Sequence, residues 1–298
     1  MLVLGFHFLT FIYCLVFSAL IIVASINLAI NWKKRDRPYY IRFLILMIVA
    51  LMYNINEDLF PDTKSSIDWI AQYIIAYTSG LISAVYFLFY LHLEYQLKFV
   101  KRFDLLLVGA FSFLILICSF IIPLAITKSL NTARYFFLSI ILAILLVNVL
   151  SVLKDKFLKL RLCKKIILKI HILIGIFGFL SIILFPVTIL ASSGNQFIVQ
   201  LCYTLGYLAI SIDYFLYPLR KKEIKKSISF EKLSARETEV LKLMLQNPNL
   251  KYAEISDLLN ISQKTLSTHL SNIYKKIDIK SKKEIEEMSK VYKPSTLE

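Results

Sequence analysis

The chain has 298 residues, 58% of them hydrophobic and only 18% charged, with a mean hydropathy of +0.67. That balance excludes an ordinary soluble globular protein and places the chain among integral membrane proteins. The net charge of +15 is not in itself a nucleic-acid signal, because only twelve Lys/Arg against ten Asp/Glu follow Ser227, which leaves +13 to the apolar part and its flanks.

Crossing the hydrocarbon core takes about 20 mostly apolar residues per helix, since every backbone polar group must be bonded within the segment. Seven segments meet that requirement: residues 3–31, 39–55, 69–95, 105–126, 135–153, 166–191 and 197–218, the second being the shortest. The first lacks the basic start of a signal peptide and is about twice as long as an apolar h-region, so it is expected to stay as a span.

The loops alternate in charge. Eighteen Lys/Arg follow the odd-numbered spans, in runs beginning at Lys33, Lys98, Lys154 and Arg220, whereas the intervening loops hold only Lys64, Lys128 and Arg134. Glu57, Asp58, Asp62 and Asp68 lie in or beside the loop that follows the second span. By the positive-inside rule the N-terminus is expected outside and the C-terminus in the cytoplasm. The location implied is a lipid bilayer, crossed in multiple passes.

Polar residues within the spans are read two ways. Asp213, His171, Lys169, His92 and Glu94 lie near the cytoplasmic ends and are expected to be solvated or snorkelling there. The functional reading joins Asp213 to His171 or Lys169 in a network that changes partners as the bundle switches, which makes Asp213 and His171 the candidate switch residues. Asn148, Gln200 and Gln72 lie deeper. Pro123 and Pro186 are expected to kink their helices, and Gly175 and Gly178 to permit close packing. Cys14, Cys118, Cys163 and Cys202 show no metal-ligand spacing and read as packing residues, so no metal or cofactor is expected. No complete transport or catalytic constellation is present, and the chain is expected not to be an enzyme.

The apolar excess ends near Leu219. Residues 1–219 are therefore read as the membrane domain, 220–231 as a basic linker and 232–298 as a small helical domain. The linker would reach at most about 40 Å if extended, and its run "RKKEIKK" suits a topology anchor on lipid headgroups. In the tail, "SARE" (Ser234 to Glu237) and "SKKE" (Ser281 to Glu284) fit capping boxes that open a first and a fourth helix. Pro248 stops the first helix. A second runs from about Ala253 to Leu259, and Asn260 suits a left-handed turn. Ser262 caps a third, in which Leu266, Leu270, Ile273 and Ile277 form one buried stripe. The opposite face holds Lys264, Ser267, Thr268, Ser271, Asn272 and Lys275. A short helix, a tight turn and a longer polar-faced helix follow the helix-turn-helix plan.

The run "LSARETEVLKLM … AEISDLLNISQKTLSTHLSNIYKKIDIKSKKE" closely resembles the LuxR-type helix-turn-helix domain of bacterial transcription regulators, over about Leu233 to Met288, or about a fifth of the chain. The resemblance rests on the opening Leu-Ser-x-Arg-Glu-x-Glu-Val-Leu, the Glu-Ile of the second helix, Ile-Ser before the third, Thr-x-x-x-His within it and Asn-Ile-x-x-Lys-Ile near its end. It implies base reading by Ser267, Thr268 and Ser271, with Lys264, Thr265, Asn272, Lys275 and Lys276 placed for phosphates. Where the family often has Lys, this chain has Ser267, so a strong guanine contact is missing and phosphates must supply more of the affinity. Between the first two helices, Leu245 and "QNPNLKY" replace the family's small-residue and glycine signature. Glu237 and Glu239 are expected to cap and pair inside the domain, and His269 to be structural.

The expected architecture is all-α: a polytopic membrane bundle of seven helices followed by a small four-helix helix-turn-helix domain. The expected function is a membrane-anchored, one-component transcription regulator, in which the bundle senses a signal ligand and the tail binds double-stranded promoter DNA as a homodimer. Pairing of the fourth helices through Ile285 and Met288 is one route to that dimer, and pairing through the bundle another. The alternative is a transporter or membrane enzyme whose tail is a regulatory or protein-binding module. A third reading has a protease release the tail by a cut between Lys221 and Phe230.

Overall fold

A computed structural model describes all residues except 1, 4–5, 35, 63–64, 98–103, 164, 192–195, 229–231, 278, 280 and 292–298. Seven long apolar helices come first: α1 Phe8–Ile30, α2 Arg37–Leu59, α3 Trp69–Tyr95, α4 Leu105–Thr127, α5 Leu130–Leu162, α6 Ile166–Ala191 and α7 Gln196–Ile228. Each has a stretch long and apolar enough to cross a bilayer. Ahead of α1, Leu2–Val3 and Phe6–His7 form a two-residue antiparallel ladder. Four short helices follow: α8 Ala235–Gln246, α9 Tyr252–Leu258, α10 Gln263–Ile277 and α11 Lys282–Val291. The chain divides into two units, Met1–Lys164 with Lys169–Tyr214, and Lys165–Leu168 with Phe215–Glu298.

In the first unit α1 packs on α2, α2 on α3 and α3 on α4. Its interior is aromatic: Phe17, Phe43, Tyr53, Phe87, Tyr90, Phe120, Tyr203 and Tyr207 are almost wholly buried. Two of the tyrosine hydroxyls at its centre find partners, Tyr207 bonding Ser83 Oγ at 2.7 Å and Tyr203 at 3.0 Å. This is how an aromatic core avoids stranding polar tips away from water. Outward, Leu106, Ile126, Val147 and Leu150 are more than three-quarters exposed. An apolar surface of that kind needs a hydrocarbon solvent rather than water.

Close approach depends on glycine, as expected at Gly175 and Gly178. A methyl group on Gly178 would press Leu91 at 3.2 Å and Ile210 at 3.3 Å, and one on Gly175 would collide with the Tyr95 ring. Pro123 lies just after an irregular turn of α4. Without its N–H, the preceding turn cannot close in α geometry, and Ile117–Ile121 widens into a π turn.

Three helices exceed the apolar segments that foretell them. Helix α2 runs on to Leu59 because its terminal carboxylates are not left to solvent: Asp58 accepts from His7 N at 3.0 Å and contacts His7 Nδ1 at 2.6 Å and Thr10 Oγ1 at 3.1 Å. Helix α5 reaches Leu162 because Lys156 and Lys159 fold back onto protein, Lys156 donating to the Tyr95 carbonyl and Lys159 pairing with Asp155 at 3.0 Å. Helix α7 continues through the basic run to Ile228, so residues 220–228 are helical rather than extended. At 1.5 Å per residue they span roughly 13 Å.

In the second unit, Val240, Leu241, Met244, Leu245, Ile255, Leu266, Leu270, Ile273 and Ile285 are buried, α8 packing against both α10 and α11. Ile285 is only 1% exposed, so a dimer contact through this residue is already spent inside its own domain. The Met288 side chain lies outside the described residues.

Candidate functional site

The C-terminal site is built on caps. The Ser234 side chain accepts from the Glu237 N–H at 3.3 Å, while the Glu237 carboxylate accepts from the Ser234 N–H at 2.7 Å, a reciprocal box that opens α8. Ser262 Oγ accepts from the Thr265 N–H at 3.0 Å and starts α10. Between α9 and α10, Asn260 takes a left-handed φ of 51°. Arg236 donates to the Leu259 carbonyl at 2.8 Å, placing a cation at the C-terminal end of α9, and also pairs with Glu239. These bonds fix α9 and α10 relative to α8.

On α10 the stripe Leu266, Leu270 and Ile273 faces inward, with Ile277 half-buried. The opposite side exposes Lys264, Thr265, Ser267, Thr268, Ser271, Asn272, Lys275 and Lys276. The face is thus hydroxyls and one amide flanked by cations at both ends. Thr268 Oγ1 donates to the Lys264 carbonyl at 3.1 Å, so this hydroxyl offers a base edge its lone pairs, while Ser267 can donate or accept. Thr265 Oγ1 shares a hydrogen bond with Ser262 Oγ at 2.8 Å. His269 is half-buried.

Lys276 differs from its neighbours. Its Nζ lies 2.7 Å from Glu237 Oε2, bridging the end of α10 to the start of α8. The Lys276 ammonium and the Ser234 N–H together hold the Glu237 carboxyl down at about 2. Glu237 and Glu239 are therefore both consumed within the domain, as their place in the sequence implies. Lys264 and Lys275 have no ion pair among the described residues.

Replacing Lys264 and Lys275 together by Ala should weaken binding to all DNA sequences alike. It should also make the salt dependence shallower by about 0.9 in log–log slope for each phosphate no longer neutralised. Salt titrations of the intact protein would show this, and an unchanged slope would remove both lysines from the phosphate set. A second expected result concerns acid. A carboxyl held below its ordinary value stabilises the fold above the unfolded carboxylate range, and that contribution fades as pH falls from about 4.5 toward 2. Amide protection in α8 should therefore decline over that interval, and the decline should be shallower in Glu237→Gln, as read by hydrogen exchange.

In the bundle, Asp213 is 3% exposed, not solvated at an interface as its position near a span end suggests. Its Oδ2 accepts from Tyr95 OH at 2.8 Å and lies 2.9 Å from His171 Nδ1, and the Tyr95 and His171 rings stack at 4.4 Å. Helices α3, α6 and α7 thus meet at one carboxylate. Glu94, also buried, pairs with Arg42 at 2.6 Å and joins α3 to α2. His92 contacts the Leu97 carbonyl at 2.8 Å. Of the deeper residues, Gln72 bonds backbone groups of Asp62 and Ile67, Gln200 Oε1 lies 3.2 Å from Thr10 Oγ1, whose one proton it shares with Asp58, and Asn148 bonds back to Ile144 at 2.9 Å. Arg42 with Glu94 and His7 with Asp58 have no signal in the sequence, because pairs separated by about fifty residues leave no local spacing to read.

Residues 231–289 match a protein-family model described as bacterial regulatory proteins, luxR family. That is a family of DNA-binding regulators, not of enzymes, and the C-terminal region is a LuxR-type helix-turn-helix domain preceded by seven span-like helices. No curated protein and no solved structure matches the chain.

Proposed function

We propose that the chain is a membrane-anchored, one-component transcription regulator: residues 1–219 sense a signal, residues 220–231 connect, and residues 232–298 bind promoter DNA. The observation that carries this reading is the family match at residues 231–289 on a chain whose other long helices are of bilayer length. The exposed hydroxyl and amide face of α10 supports it, since it presents donors and acceptors where a recognition helix meets base edges. The excess of Lys/Arg after odd-numbered spans supports a cytoplasmic tail at a bacterial inner membrane, where the DNA must come to the protein. Base reading falls to Ser267, Thr268 and Ser271, with phosphates held by Lys264, Thr265, Asn272 and Lys275. Lys276 acts chiefly through Glu237. Two copies would occupy two half-sites, paired through the bundle or through Met288 of α11.

The test is to crosslink DNA to the intact protein in membranes and sequence it. Enrichment of a few promoter loci is expected, and it should vanish in a chain lacking residues 232–298. Equal recovery with and without those residues would end the regulator reading. Within the recovered sites, Ser267→Lys should shift preference toward guanine, because Lys reaches its O6 and N7 acceptors in the major groove. A binding-site selection with unaltered preference would place the reading face elsewhere.

A further inference from the structure

The first unit encloses a cavity of about 700 Å³, walled by α2 to α6 with Val199 of α7. Along α3 its lining runs from Tyr73 to Leu88, which at 1.5 Å per residue is roughly 22 Å, so the space is elongated. Its body is apolar and aromatic, of the size and character of a small-molecule site. At the end where α2 finishes and α3 begins it is lined by Glu57, Tyr53, Tyr77 and Arg134, while Asp104, whose carboxylate caps α4, and Ser112 line it elsewhere.

Three features of that end restrict what can occupy it. Arg134 Nε donates to Tyr77 OH at 3.0 Å, which fixes the guanidinium beside the cavity. Glu57 and Arg134 line the same space, so a charged head entering there would have to displace a group already facing Arg134, whereas an uncharged one need not. Tyr53 is 1% exposed, and its hydroxyl has no hydrogen-bond partner among the described residues. A buried hydroxyl in that condition is a standing cost that a ligand's polar head would remove. Leu107 and Phe111 of α4 line the cavity and are 70% and 60% exposed, so its wall is open along α4.

We propose that this cavity binds a single-chain amphiphile with an uncharged hydrogen-bonding head, which enters from the bilayer and sets its head against Tyr53, Glu57 and Arg134. That its occupancy is the regulatory signal rests on the regulator reading above. The occupancy itself does not.

The experiment uses the full-length protein in phosphatidylcholine nanodiscs and dodecanol bearing a diazirine on its chain. After illumination, labelled residues are mapped by mass spectrometry, with dodecanol, dodecanoate, dodecyltrimethylammonium and dodecane as competitors. Label should concentrate on inward residues such as Leu81 and Ile141, and dodecanol should compete about five-fold better than either charged chain or dodecane, the margin of one hydrogen bond. Tyr53→Phe should cut labelling by a similar factor, yet melt no lower than the parent without ligand, since it removes an unpaired hydroxyl. Gly80→Leu should block labelling, whereas Gly80→Ala should not, because a methyl there would meet Tyr53 and Phe185 at an ordinary 3.5 Å. Label spread equally over outward residues such as Leu106 and Val147, without competition, would overturn the site. Equal competition by charged chains would overturn the neutral head. Because the readout is occupancy and not DNA recovery, failure here leaves the operator experiment standing, and the reverse also holds.

Discussion

Ile273→Ala is expected to weaken DNA binding by the intact protein strongly, and to lower the temperature at which it is lost, while leaving its amount in the membrane unchanged. Ile273 is 0% exposed at the centre of the stripe by which α10 packs on α8. Truncating a buried Ile to Ala costs about 2–5 kcal/mol, from the transfer energy forgone and the cavity left behind. A domain of this size has only roughly 3–9 kcal/mol to lose, so much of its stability goes with one side chain. The recognition face is untouched by the change and fails only because its support melts. Ser271→Ala, on the exposed face of the same helix, is the control: it should keep the fold and alter only sequence preference. Recovery of crosslinked DNA, set beside hydrogen exchange of α8 and α10, separates the two effects. Full binding by the Ile273 variant over the parent's temperature range would mean that α10 is held by something other than this stripe.

The second large effect is expected at Asp213. Its carboxylate serves Tyr95 and His171 at once, so Asp213→Ala removes two hydrogen bonds that tie three helices together, at about 0.5–1.5 kcal/mol each, and leaves a cavity beside them. That variant should lose protein from the membrane or melt well below the parent. Asp213→Asn keeps an acceptor but removes the charge, and reporter output should then be fixed in one state, on or off, at parental protein levels. The mechanism requires an element with two arrangements that the carboxylate biases; α3, α6 and α7 meeting at one side chain provide the contacts for it. Unchanged output and unchanged response in the Asn variant would make the cluster a structural clasp, and attention would move to the cavity.

What is legible in the sequence follows from the kind of signal each feature leaves. Long apolar runs announce spans without any need for periodicity, and all seven are visible in this way. Their ends are not, because charged residues of the kind that mark loops are here satisfied inside helices: Asp58 by His7 and Thr10, Lys156 by the Tyr95 carbonyl, Lys159 by its own turn. The C-terminal domain is legible to the level of the Ser234 box and the Ser262 cap, because a cap is a local pattern and Asn260 a local conformation. Within it, Lys276 reads like any other cation on the polar face. Its bond to Glu237 spans thirty-nine residues and depends on how α8 and α10 pack, which no spacing rule encodes. The same holds for the cavity, whose Tyr53, Glu57, Tyr77 and Arg134 come from three helices.

The continuation of α7 through the basic run makes residues 220–228 a shaft and not a tether. A tether conveys only reach; a helix conveys angle, at about 100° for every residue. Inserting one residue between Arg220 and Ile228 would therefore turn Ile228 by about 100° while lengthening the segment by only about 1.5 Å. Seven inserted residues would return it to within about 20° of its original bearing. Two chains of different length but equal phase would therefore point Ile228 more nearly alike than two of nearly equal length that differ by a single residue.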